Sequence, residues 1–155
     1  PLKIMPNWCR NRVTVFGDSE EIAKVTKIFK DEKSIFDNII QSPDWRRLPN
    51  EKGEYAKLEQ HKNDKGEVVW ETYNFPDGKN DDRWYEWNIT NWGTKWDITA
   101  NQVEFNYEDS EQLEMEFDTA WAPPEEICYR LREMFQDLTF TWFYDEPGMC
   151  VAGYL

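Results

Sequence analysis

The chain of 155 residues has one histidine, three cysteines and no apolar run approaching the ~18 residues that cross a bilayer as a helix. Each scarcity closes a class of function. His61 stands between Gln60 and Lys62, which reads as a solvated loop position and not as a catalytic base. Cys9, Cys128 and Cys150 are odd in number, far apart and without CxxC spacing. That suits thiols kept reduced in a cytoplasm, with Cys128 and Cys150 as small apolar fillers, and argues against a disulfide frame or a zinc site. The start, Pro1–Met5, lacks the apolar run and small-residue cleavage site of a signal peptide. No G-x-S-x-G, P-loop, G-x-G-x-x-G or H-E-x-x-H motif occurs. The expectation is a protein that is not an enzyme and holds no metal or cofactor.

One absence is regional. Residues 1–95 carry 16 basic and 17 acidic residues, whereas residues 96–129 carry no Lys or Arg and ten acids. Ten of the thirteen net negative charges therefore lie in a fifth of the chain. Such a field repels nucleic acid and anionic membrane and attracts basic surfaces.

What the chain has in abundance is aromatic side chains, 16% of residues with nine Trp, despite a mean hydropathy of −0.88. Disordered chains are poor in rings, so the polarity comes from charge around a core of large side chains. At this length one domain, 1–155, is expected.

Periodicity supplies the elements. Asn11–Phe16 alternates as a strand. A helix follows from Ser19 to about Lys30, capped by Asp18 or Ser19, with Ile22, Val25, Ile28 and Phe29 as its apolar stripe. Residues 31–80 read as an irregular insertion containing a helical turn near Ile35–Ile40, a short helix over Glu54–His61 and a strand over Glu67–Phe75. Asp82–Trp92 reads as a helix stopped by Gly93, and Lys95–Ala100 as the start of another strand.

Gln102–Tyr107 and Gln112–Asp118 alternate about the turn Glu108–Glu111 and predict a hairpin. It would put Val103, Phe105, Tyr107, Leu113, Met115 and Phe117 on one face and Glu104, Asn106, Glu108, Glu114, Glu116 and Asp118 on the other. Pro123-Pro124 breaks the chain and Pro124 suits the first position of a helix, with Ile127, Leu131, Met134 and Phe135 as its stripe. Strands over Leu138–Tyr144 and Met149–Leu155 complete the chain. The order predicts an α+β fold in which an antiparallel sheet has its helices packed on one face, ferredoxin-like with an insertion after the first helix.

Three segments, Met5-Pro6-Asn7-Trp8-Cys9 with Asn11, Asn91–Asp97 (NWGTKWD) and Phe117–Pro124 (FDTAWAPP), together resemble the YubB-like family of bacteriophage, plasmid and genomic-island proteins. The resemblance covers both ends and the middle of the chain but not 41–80, where Gln41-Ser42-Pro43 departs from the family's Pro-Met-Pro element. It implies a ferredoxin-like domain and a mobile-element origin, with the cytoplasm that of a bacterial host. The family has no assigned activity, so no catalytic residue carries over.

Two binding surfaces follow from the residues. The acidic array of Glu104, Glu108, Asp109, Glu111, Glu114, Glu116 and Asp118 has no lysine to relieve cross-strand repulsion. Same-face residues on a strand lie about 6.8 Å apart, so two charged strands imitate a phosphate backbone at about half its density. The partner would be a basic, nucleic-acid-binding host protein, such as a defence enzyme, with no direct contact to nucleic acid or membrane. The bland alternative is solubility. The second surface is Asn91, Trp92, Lys95 and Trp96, where rings and an ammonium could hold a nucleotide or other small molecule, or could simply be core.

Overall fold

The computed structural model describes residues 6–155. The start Pro1–Met5, including Met5 of the first motif, lies outside the described residues. The elements are β1 (Trp8–Phe16), α1 (Ser19–Phe29), α2 (Phe36–Ile39), β2 (Lys57–Lys62), β3 (Val68–Asn74), α3 (Arg83–Asn91), β4 (Val103–Glu108), β5 (Gln112–Ala120), α4 (Glu125–Met134), β6 (Thr139–Glu146) and β7 (Val151–Tyr154). They form two compact units. One joins the chain up to Gln41 to Asn88–Leu155, and the other is Ser42–Trp87.

The first unit holds a five-stranded antiparallel sheet in the order β4-β5-β1-β6-β7. Two strand–helix–strand crossovers, one from β1 and one from β5, interleave so that β1 and β5 are neighbours near the centre. This is the ferredoxin-like α+β arrangement, with β7 added at one edge. Alternation in β1 buries Cys9, Asn11, Val13 and Val15, and β5 buries Leu113, Met115 and Phe117 beside them. Phe117 is the hub of the core. Its ring lies 5.9 Å from Phe29 of α1, 6.3 Å from Phe36 of α2 and 5.7 Å from Trp142 of β6. Each such ring pair adds about 0.5–1.5 kcal/mol beyond burial.

The helices form for local reasons. The Asp18 carboxylate accepts the N–H groups of Glu20 and Glu21 at the start of α1. Ile22, Val25 and Phe29 are buried, with Thr26 in the stripe where Ile28 was expected. At the end of α3, Gly93 takes a φ of 88° and donates to Asn88 and Ile89. A Cβ there would also come within 2.7 Å of the Glu125 nitrogen, so both conformation and space require glycine. In α4, Cys128 is buried beside Ile127, Leu131 and Phe135, and Met134 turns outward.

Three sequence expectations give way. Lys95–Ala100 is not a strand. The Asp97 carboxylate accepts the N–H groups of Ile35, Phe36, Asp37 and Ile98, which folds the segment back onto α2 before a 3₁₀ turn at Ala100–Gln102. Glu54–His61 is not a helix, because Lys57–Lys62 pairs with β3 as the second unit's hairpin. Cys150 is not a filler: it is exposed in the β6–β7 turn, whereas Cys9 and Cys128 are buried. Burial pushes the Cys9 thiol up to about 12 and the Cys128 thiol up to about 11.

The second unit is built on the β2–β3 hairpin. Near it, Arg83 donates to the carbonyls of Trp45, Leu48 and Pro49 and to the Asp81 carboxylate, and stacks over Trp45 and Phe75.

Candidate functional site

The outer face of the five-stranded sheet carries the acidic array, and its neighbours change its character. On β5, Glu114, Glu116 and Asp118 point outward at every second position, with Glu104 of β4 opposite Glu116. On the other side of β5 lies β1, which sets Arg12 opposite Glu116 and Arg10 opposite Asp118. Arg10 reaches Glu104 at 2.7 Å, Glu116 at 2.9 Å and Asp118 at 3.4 Å. Arg12 reaches Glu116 at 3.1 Å and Asp145 of β6 at 2.6 Å. The array expected to lack basic relief is therefore laced by two arginines from the adjoining strand. The carboxylates beside Arg10 hold its guanidinium pKa above the ordinary value, although burial opposes this.

The surplus remains acidic. Glu104, Glu114, Glu116, Asp118 and Asp145 share this face with Arg10 and Arg12, which leaves three net negative charges on it. Further across, Phe143 and Tyr154 pair at 5.1 Å, with Arg12 over the Phe143 ring.

A bulge redistributes the rest. The register between β4 and β5 shifts between Phe105 and Tyr107, leaving Asn106 without an opposite number. Beyond it the two faces exchange. Tyr107 comes opposite Glu114 and is exposed, and Glu108 comes opposite the buried Leu113. Glu108 thus meets Lys30, just past the end of α1, at 2.8 Å instead of joining the outer face. Tyr107 donates to Asp109, whose carboxylate also accepts the N–H groups of Glu111 and Gln112. These bonds hold the Asp109 carboxyl below its usual range. Of the seven predicted contact residues, the structure gathers Glu104, Glu114, Glu116 and Asp118 on one face, places Asp109 and Glu111 in the turn, and sends Glu108 toward α1.

The second predicted surface divides in the same way. Trp92 is buried, edge-on to Phe36, and its indole donates to the Ile40 carbonyl at 2.8 Å. Trp92 is thus core. Asn91 is half-buried at the end of α3. Trp96 is exposed, with the Lys95 ammonium 4.7 Å from its centre and Trp8 of β1 at 6.2 Å.

The three segments behind the family resemblance converge here. Trp8 and Cys9 pair with Ala120 and Thr119, Thr94 donates its hydroxyl to the Ala120 carbonyl, and Trp121 donates its N–H to Asn7. Trp121 adopts a φ of 70°, unusual for a bulky side chain. Buried Asn11 donates to Thr119 and accepts from the Trp142 indole at 3.1 Å. These residues satisfy buried polar groups where strands and loop meet, an architectural task that needs no reaction. At this end Trp8, Arg10, Gln102, Glu104 and Asp118 line a pocket of about 270 Å³. Sequence reasoning missed Trp8, Arg10 and Arg12 as partners of the acidic strands. The strand read from the sequence began at Asn11, which left Trp8 and Arg10 before it, and the place of β1 beside β5 was not visible.

Among the described residues no group of three or more His, Cys, Asp or Glu could hold a metal ion, and no helix is long and apolar enough to cross a membrane.

Residues 92–155 match a family model described as the ferredoxin-like domain in Api92-like protein. Among solved structures, the chain is similar to the crystal structure of a protein api92 from Yersinia pseudotuberculosis. Identity is 13%, with 97% of this chain and 93% of that chain covered, at a TM-score of 0.53. That likeness is one of fold. No curated protein matches the chain.

Proposed function

We propose that the chain is a non-enzymatic binding module of phage or mobile-element origin that docks on a basic, nucleic-acid-binding surface of a host protein and blocks it. The supporting observation is the surplus of carboxylates on the outer sheet face, held in a fixed pattern by Arg10 and Arg12. Salt-linked carboxylates are ordered before a partner arrives, which reduces the entropy lost on docking. The imitation of a phosphate backbone is coarser than the sequence implied, because two guanidiniums interrupt the array. Contact then falls on carboxylates that have no ion pair among the described residues, Glu111 and Glu114, and on the exposed rim, Glu104 and Asp118. Host-defence enzymes that grip nucleic acid offer a surface of this kind. The mobile-element origin rests on the resemblance of the three segments. The ligand-module alternative loses Trp92 to the core.

The test is capture from a bacterial lysate at about 0.1 M and about 1 M salt, between which the screening length falls from about 10 Å to about 3 Å. The expected result is a protein retained at low salt, released at high salt and not retained by the Glu111→Lys, Glu114→Lys double variant. Equimolar chain should also stop that protein binding DNA or RNA. Equal retention by the double variant, or undisturbed nucleic-acid binding, overturns the reading.

A further inference from the structure

The pocket lined by Trp8, Arg10, Gln102, Glu104 and Asp118 has three properties that select a ligand class. Its volume, about 270 Å³, falls below the range of sites for drug-sized molecules and suits a single side chain. Its charge is unbalanced. Arg10 faces three carboxylates, and its neighbour Arg12 is already shared between Glu116 and Asp145. The two pocket carboxylates keep much of their surface open, with Glu104 63% and Asp118 48% exposed, so each has lone pairs free for a further donor. The third property is the ring. Trp8 is exposed, packs against Trp96, and supplies the π surface that attracts a cation within about 6 Å of its centre.

The chain itself shows that these groups take cations. Lys95 already sits over Trp96, and in the other unit Arg83 combines a carboxylate fork with two rings, Trp45 and Phe75.

We infer that this pocket receives one arginine side chain of a protein partner, its guanidinium flat on Trp8 and forked to Asp118 and Glu104. Arginine fits better than lysine because a planar guanidinium stacks on an indole and offers paired N–H donors to carboxylates, whereas an ammonium is a strongly hydrated point charge. The inference deepens the proposed basic-partner reading by naming the side chain that anchors it.

The experiment is an NMR titration of the pure chain, following the indole N–H signals of Trp8 and Trp96, with the capped peptide Gly-Arg-Gly and its lysine and citrulline counterparts. The arginine peptide should shift both signals to saturation, binding about tenfold more tightly than the citrulline peptide, which keeps the shape and loses the charge. The lysine peptide should fall between them. Asp118→Asn with Glu104→Gln should weaken arginine binding about tenfold. Trp8→Leu should do the same, each variant being checked for retained amide dispersion. Lys24→Gln, on the exposed side of α1, lies outside the pocket and the proposed contact surface and should leave the peptide affinity within about twofold. Equal binding of arginine and citrulline, equal binding of arginine and lysine, or binding unchanged in the neutralised variant overturns the assignment. Because the readout needs no host protein, a silent lysate capture with a positive titration rejects the wider function and keeps the pocket, and the opposite result rejects the pocket alone.

Discussion

The five-stranded sheet and the β2–β3 hairpin use the same period-2 backbone and reach opposite outcomes. In β5 every second side chain from Leu113 to Phe117 is buried. In β3, Val69 remains 57% and Trp70 52% exposed, and of its seven residues only Asn74 is buried. The difference is the presence of a covering layer. β1 and β5 have α1 and α2 packed over one face, whereas the hairpin pairs two strands that both stay largely exposed. Two strands alone are marginal in water, so the hairpin relies on local pairs such as the stacked His61 and Trp70 rings, 3.4 Å apart. Strand propensity decides what pairs. A second layer decides what is buried.

The widest separation should appear in amide exchange. Amides of β1 and β5 should exchange only through global opening, near the 5–15 kcal/mol of a typical domain, and those of β2 and β3 several kcal/mol below it, which is about 10³-fold faster or more. Equal protection in both regions would break the comparison. Next in size, Phe117→Ala should lower unfolding free energy by about 3–5 kcal/mol in a denaturant titration, since it empties the hub of four rings.

A smaller effect tests the arginine lacing. Glu116→Lys removes a carboxylate shared by Arg10 and Arg12 and adds a third cation, so it should destabilise by about 1–2 kcal/mol. Glu111→Lys should stay within about 0.5 kcal/mol. If the two substitutions cost the same, the network is ornamental. The smallest effect belongs to the hairpin: Val69→Thr should change stability by no more than about 0.5 kcal/mol, because the side chain is already in water.

Legibility followed the range of the interactions. The β4–β5 strands, both long helices and the stop at Gly93 were readable because hydrophobic period and capping are local. Lys57–Lys62 misled because Lys, Leu, Glu and Gln favour helix, and its strand state comes from pairing with Val68–Asn74. Asp97 was read only as one of the ten acids of residues 96–129, yet it closes four backbone N–H groups, three of them about sixty residues upstream. Burial raises its carboxyl above the usual range, and those bonds only partly offset the rise. For the candidate site, seven carboxylates were named correctly as acids, but their partition among face, turn and helix side depends on sheet order and on one unpaired residue.

That residue, Asn106, works as a parity switch. Positions before it obey one rule, odd numbers inward, and positions after it on the same strand obey the reverse. Were Asn106 paired with Glu114 instead of bulged out, Tyr107 would fall opposite Leu113 on the core side and Glu108 would turn toward the outer sheet face. Lys30 would lose its carboxylate without any charged residue having been replaced. The placement of charge around this hairpin is thus written partly in which residue is left unpaired, and deleting Asn106 should give an unbroken ladder with Tyr107 still opposite Glu114 and Glu108 still opposite Leu113.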